Sequence, residues 1–239
     1  MGFLWRHPVL SALAIMGGVL WLSVGRGCGW FAPAYCWNQK LVVEVETPQG
    51  TRRGESVSRV CYIYRNYIKA SGYSGELEKG EAAVVDPGGG QYLFVTIRGW
   101  ENLTPVRCGK QLKALGAKVV HPYAYMNPEA TWQKLVKKLK GQRCPIAPED
   151  LPLLVTFTDI HDPKTVKRVD PRDLSAAFGP GYRLKAAWLE ITDEPVTTGR
   201  VEKVLPCLKS GKACIPLNET LPYGHPMRNI LNSHFWRSN

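Results

Sequence analysis

No GxSxG elbow, HExxH helix or CxxC pair occurs in this chain, so the common signatures of serine hydrolases, zinc peptidases and compact zinc sites are all missing. The one glycine run, Asp86-Pro87-Gly88-Gly89-Gly90, lacks a Gly-Lys-Ser/Thr ending and leads into a strand pattern rather than a helix. It therefore reads as a hairpin turn and not as a phosphate cradle. Internal repeats and low-complexity tracts are absent as well. Acidic residues are in deficit, 20 against 31 Lys and Arg, for a formal charge of +11. A surplus spread along the chain suits anionic partners such as phospholipid headgroups or polyanionic glycans, and also serves plain solubility. Because no zinc-finger, helix-turn-helix or RNP-type motif accompanies it, nucleic acid is not the expected partner.

Cysteine, by contrast, is plentiful: Cys28, Cys36, Cys61, Cys108, Cys144, Cys207 and Cys214 are dispersed, which fits disulfides in an oxidising compartment. The best pair on spacing is Cys207 with Cys214, across a polar, glycine-containing loop. Cys28 with Cys36 comes next and Cys108 with Cys144 after it, while Cys61 sits in an apolar strand pattern and reads as a buried thiol. The longest uncharged apolar run starts at Val9 and ends at Val24, between Arg6-His7 and Arg26, with Trp5 and Trp21 suited to the two interfaces. It predicts membrane targeting. The preferred form is an uncleaved single-pass anchor over residues 1–27 in a bacterial inner membrane, with the body in the periplasm. Signal cleavage at Gly25-Arg26-Gly27, releasing the body to the periplasm, is the alternative. A lipoprotein signal ending at Cys28 is disfavoured by Arg26.

Along the body, Leu41, Val43 and Val45 alternate with acidic residues, Thr47-Pro48-Gln49-Gly50 turns the chain, and residues 55–64 resume an extended pattern. Residues 82–86 and 92–98 add two strands, which predicts a small antiparallel sheet of immunoglobulin-like or sandwich type over residues 37–99. Residues 100–150 form a helical connection, with a short helix from Pro105 to Leu115 and a strand to Tyr125. A clear amphipathic helix then opens on Asn127 and Pro128 and carries Trp132, Leu135, Val136 and Leu139 on one face. After a proline-rich link, residues 151–210 form an α+β unit. It comprises a strand at 153–160, its return at 166–169, a short helix capped by Asp170 with Pro171 at its first position, and a strand from Tyr182 to Ile191. In that last strand the apolar parity switches, requiring a bulge or burial on both faces. A helix near residues 197–205 and a surface-wrapping tail, 211–239, complete an α+β, β-rich chain behind an N-terminal transmembrane helix.

Four phrases carry a resemblance. They are Trp37-Asn-Gln-Lys-Leu-Val-Val-Glu-Val-Glu-Thr-Pro-Gln-Gly50, Leu151-Pro-Leu-Leu-Val-Thr-Phe-Thr-Asp-Ile-His-Asp-Pro-Lys164, Asp170-Pro-Arg-Asp-Leu-Ser-Ala-Ala-Phe-Gly-Pro-Gly181 and Ile191-Thr-Asp-Glu-Pro-Val-Thr197. Together they resemble a group of uncharacterised bacterial envelope proteins that carry an N-terminal signal or anchor. The resemblance implies an exported bacterial protein and transfers no catalytic residue.

The densest polar cluster is Asp159, His161 and Asp162, where an aspartate and a histidine on one side of a strand end would suit metal binding or acid–base work. Ordinary turn chemistry explains the same residues, and a third ligand would have to come from His121, His225 or His234. Lys134, Lys137, Lys138 and Lys140 give the amphipathic helix a basic face suited to an anionic surface, or to a packed helix with solvated lysines. No cofactor and no metal is expected. The leading expectation is a non-catalytic binding or scaffold protein that engages another envelope component. A hydrolase centred on Asp159, His161 and Asp162, and a basic module for anionic lipid or glycan, are the alternatives.

Overall fold

The alternation that begins near Leu41 belongs to a hairpin longer than its apolar pattern. In the computed structural model, β1 (Ala34–Thr47) and β2 (Gly50–Tyr67) pair antiparallel from Thr47↔Gly50 to Ala34↔Ile63. Described are residues 34–67, 70–100, 103–116 and 129–210, then 214–215, 221–223, 225, 227–228, 230 and 232–237. The apolar segment at 9–24, Cys28, His121, the strand expected to reach Tyr125, and Asn127 with Pro128 lie outside them. Among the described residues no helix is long and apolar enough to cross a membrane.

The large sheet grows from this hairpin on both sides. On the β2 side lies β3 (Ala70–Glu81), a strand the sequence pattern does not announce because Ala-Ser-Gly-Tyr-Ser-Gly carries no β-branched residue. Pairing with the long β2 overrides that weak local preference. Later segments supply the remaining strands: β4 (Ala83–Gly88), β5 (Gln91–Val95), β6 (Arg143–Pro145), β7 (Leu154–Phe157), β8 (Val166–Val169), β9 (Arg183–Thr192) and β10 (Trp236–Arg237). The large sheet has the order β10-β3-β2-β1-β9-β6 and the small one β4-β5-β7-β8, both antiparallel. Strands from before and after the proline-rich link share both sheets, since β1 pairs with β9 and β5 with β7.

The parity switch in β9 resolves as a bulge that serves the core. Glu44 pairs with Ala186 but Val45 pairs with Leu184, leaving Lys185 as the extra residue. Leu184 therefore reaches the same face as Ala187, Leu189 and Ile191, against Leu41, Val43 and Val45. Close approach of the two sheets depends on Gly54, where a Cβ would stand 2.3 Å from the Val84 carbonyl oxygen. Only glycine fits that contact.

Among the described residues helices are few and short. The single helix expected over 105–115 is instead two turns, α1 (Leu103–Arg107) and α2 (Gly109–Ala114), and the amphipathic helix is α3 (Glu129–Lys138), which buries Leu135, Val136 and, just after it, Leu139. The helix expected at Asp170 starts later, as α4 (Ser175–Phe178), because Asp170 accepts from the Arg172 amide in a turn of its own. Asp173 meets the helix start by accepting from the Ala176 amide. The tail does more than wrap the surface: Phe235 and Ile230 are buried with Phe94 and Phe157 in a second core, closed by α5 (Arg200–Val204).

Glu81 ends β3 almost fully buried and accepts from the Arg200 and Val201 amides, capping α5 from another element. Burial raises its carboxyl above the ordinary value of 4.5, and the two amides pull the other way. A raised folded-state value means that the folded protein binds this proton more tightly than the unfolded chain does. The resulting stability is complete below 4.5 and is lost as pH rises through the folded value. Glu81→Gln is therefore expected to flatten the fall in stability on the alkaline side of 4.5, checked by urea midpoints across that range. An unchanged slope would place the titrating group elsewhere.

A basic cleft at the open end of the large sheet

β1 is longer than its neighbour β9. Their pairing ends at Asn38↔Thr192, so Tyr35, Cys36 and Trp37 run on past it. The end of α3 closes in at this point, with Lys140 bridging in parallel to Ile191 and Leu139 buried beneath. The result is a cleft of about 540 Å³. Its floor is Tyr35, Cys36, Trp37 and Asn38 from β1; Arg59 of β2 stands on one side, and Val136, Lys137 and Lys140 on the other, with Ile191, Thr192 and Asp193 at the end of β9.

The floor is stiff because its aromatic rings are fixed from behind. Trp37 stacks on Tyr62 at 5.3 Å and leans on Tyr35 at 5.4 Å. Its indole N–H donates to Thr104 Oγ1 at 3.1 Å, Thr104 donates to Gln39 Oε1 at 2.6 Å, and the Gln39 amide donates to the Trp100 carbonyl at 2.8 Å. Every polar atom in that buried chain has a partner, which holds α1 to β1 and the Trp37 ring in place.

Positive charge dominates the walls. Arg59, Lys137 and Lys140 face the single carboxylate of Asp193. Asp193 is paired with Lys140, and Arg59 with Glu78 at 2.5 Å, whereas Lys137 has no acidic partner among the described residues. Asn38 donates its amide to the Glu194 carbonyl, which leaves its buried Oδ1 accepting nothing among the described residues.

Groups that commonly do covalent or acid–base chemistry are held out of it here. Burial pushes the Tyr35 phenol up to about 12, so it stays protonated at physiological pH. Cys36 is bonded to Cys61, its direct cross-strand partner. Among the described residues the one grouping of three metal-ligand side chains is Cys36, Cys61 and Glu78, and its two sulfurs are already joined to each other.

No protein-family model, curated protein or solved structure matches this chain. The chemistry of the cleft therefore rests on its own residues.

The candidates singled out by sequence are distributed unevenly around it. Of the four lysines, Lys137 and Lys140 line the cleft, while Lys134 and Lys138 are exposed on the adjoining surface of α3. Asp159, His161 and Asp162 lie in the loop from β7 to β8, exposed, with both carboxylates engaged locally. Asp159 accepts from the His161 amide at 2.9 Å and Asp162 from the Lys164 amide at 3.0 Å, while Thr165 donates to both their carbonyls. His225 is exposed in the tail and His234 is buried beside Arg98. Cysteine pairing joins Cys207 to Cys214 and Cys108 to Cys144. Cys36, however, is joined to Cys61 and not to Cys28, because the β1–β2 register sets those two residues opposite each other with Cα atoms 4.0 Å apart. For the same reason Cys61 is a disulfide partner and not a free thiol. The three disulfides fit an oxidising, exported compartment.

Tyr35, Trp37, Asn38 and Arg59 were not singled out by sequence. Tyr35 and Trp37 share a face by strand spacing, but nothing local foretells that α3 closes over them.

Proposed function

We propose that the protein is a non-catalytic binding protein of the bacterial cell envelope. In this reading the segment ending at Val24 holds it in the inner membrane, and the periplasmic body binds an anionic ligand in the cleft at the end of β1. The observation that carries this is the convergence of Arg59, Lys137 and Lys140 on a rigid floor of Tyr35, Trp37 and Asn38, with no paired nucleophile and base among them. Membrane attachment and export rest on the apolar N-terminal run, the disulfides and the resemblance to anchored envelope proteins. An envelope partner that presents the anion is compatible with the same cleft.

The test is a panel of short anionic ligands and their neutral analogues, titrated into the full-length protein in non-ionic detergent at low and high salt. Anionic members are expected to bind and to weaken as salt rises, because a partly exposed cleft is screened. Equal binding of neutral analogues, or affinity indifferent to salt, would sink the reading. A reporter-fusion topology assay combined with the mass of the mature protein tests anchoring separately.

A further inference from the structure

We propose that the Cys36–Cys61 disulfide is an exchange site, at which the thiolate of a small external thiol enters the cleft and is captured on the Cys36 sulfur. The proposal rests on the anion-binding reading above and adds to it the chemistry of the anion and its point of attachment.

Access comes first. Cys108 and Cys144 are both fully buried, whereas Cys36 is half-buried and lines the cleft. Its partner Cys61 is 4% exposed, so a nucleophile arriving through the cleft meets Cys36 and not Cys61. A cleft of about 540 Å³ has the size of a small-molecule site, and a half-buried sulfur on its floor suits a low-molecular-weight thiol better than the surface of a protein.

Charge comes second. The attacking species is an anion, and as it reacts its charge spreads over the incoming, central and leaving sulfurs. Lys137, which has no acidic partner among the described residues, stands in the cleft wall and favours both the arrival of the thiolate and that spread charge. The leaving sulfur has its own control. In the β2–β3 pairing Arg59 lies opposite Lys79 but Val60 lies opposite Leu77, so Glu78 is the extra residue of a bulge. Its Oε2 stands 3.5 Å from Cys61 Sγ and is paired with Arg59. The carboxylate opposes negative charge on the leaving sulfur, and the guanidinium offsets only part of that opposition.

The step balances without an oxidant or reductant. The incoming thiolate sulfur bonds to Cys36 Sγ as the Cys36–Cys61 bond breaks, the electron pair leaves on Cys61 Sγ, and solvent protonates that thiolate. One disulfide is exchanged for another. Cys36 is the electrophile, so the cleft need supply neither nucleophile nor base.

The test mixes the full-length protein in non-ionic detergent with excess β-mercaptoethanol at fixed pH. Samples are quenched in acid at early times and labelled with a maleimide, and peptide masses then read each cysteine separately. The thiol is expected on Cys36 and the maleimide on Cys61, with Cys108–Cys144 still closed. K137E is expected to slow formation of the Cys36 adduct about fivefold at low ionic strength, an effect that fades as salt rises. K167E makes the same charge change on exposed β8 of the small sheet and is expected to leave the rate unaltered. Glu78→Gln is expected to speed the exchange severalfold by removing the charge that opposes the leaving thiolate. A variant that merely loosened the fold would react faster and would open Cys108–Cys144 as well, so a slower K137E has no explanation in unfolding. Capture of the thiol on Cys61, or equal rates for K137E and K167E, would overturn the proposal. No adduct on Cys36 while anionic ligands still bind through Lys137 would overturn the exchange and leave the anion cleft standing. A Cys36 rate indifferent to K137E, together with no binding of any anion, would bring down both.

Discussion

Truncating Phe235 to alanine is expected to cost about 3–5 kcal/mol of folding stability, the range for removing a large aromatic from a closed core. For a chain of this size that corresponds to a fall in melting temperature of roughly 6–20 °C. Phe235 is fully buried, although it lies only four residues from the end of the chain. Its ring meets Phe94 edge-on at 5.6 Å and tilts against Phe157 at 6.2 Å. The backbone around it is committed as well, since the Ala82 amide donates to the Phe235 carbonyl and the Ile97 amide to that of His234. Trp236 and Arg237 then extend the large sheet beside β3. Removing the ring leaves a cavity beside Phe94 of β5 and Phe157 of β7, in the cluster to which Val201 of α5 also belongs. Tyr223→Ala in the same tail is the control, because that side chain is 97% exposed and its loss is expected to change stability by no more than about 0.5 kcal/mol. Denaturant midpoints of the two variants decide the matter. Equal small losses would mean that the tail end does not form part of the core.

The contrast between those two aromatics shows what the sequence exposes and what it conceals. Period-two alternation over Leu41, Val43 and Val45 reveals β1 because one of its faces is buried and the other carries charge. The same logic detects the irregularity in β9, where the apolar parity changes and a bulge at Lys185 is found. β3 escapes because its partner, not its composition, makes it a strand. The tail escapes for a related reason: a segment rich in Pro, Asn and His has no periodicity, and a single phenylalanine in it carries no direction. The cleft is the hardest case. Lys137 and Lys140 are visible as one edge of a helix, but Asn38, Arg59 and Asp193 come from three other elements, and only the sheet register and the closure of α3 bring them together. Chemistry assembled by non-local pairing has no local signature. The Asp159, His161 and Asp162 cluster illustrates the converse, since a conspicuous local pattern is accounted for by the hydrogen bonds of its own turn.

The second large effect concerns the disulfide that closes the segment carrying α3. Replacing both Cys108 and Cys144 with alanine is expected to cost about 4 kcal/mol, the chain-entropy value for a loop spanning 36 positions. Both cysteines are fully buried, so the alanine pair also forfeits packing at the junction of α2 with β6. Polar contacts at the same junction remain, because Arg107 still meets Asp150 at 2.7 Å and Gln111 still reaches the Arg143 carbonyl. The chain between the two cysteines includes α3, whose Lys137, with the adjoining Lys140, forms one wall of the cleft, so the bond constrains the wall as well as the fold. Global stability and ligand affinity are therefore expected to fall together in the double variant. Cys207→Ala with Cys214→Ala opens a loop of only 7 positions remote from α3, and is expected to cost less and to leave affinity unaltered. Urea unfolding and anion titration of both double variants under conditions where they remain folded separate the two roles. If losing Cys108–Cys144 lowers stability and leaves affinity intact, the wall is held by the burial of Leu135, Val136 and Leu139 alone, and the disulfide is a fold clamp with no part in shaping the cleft.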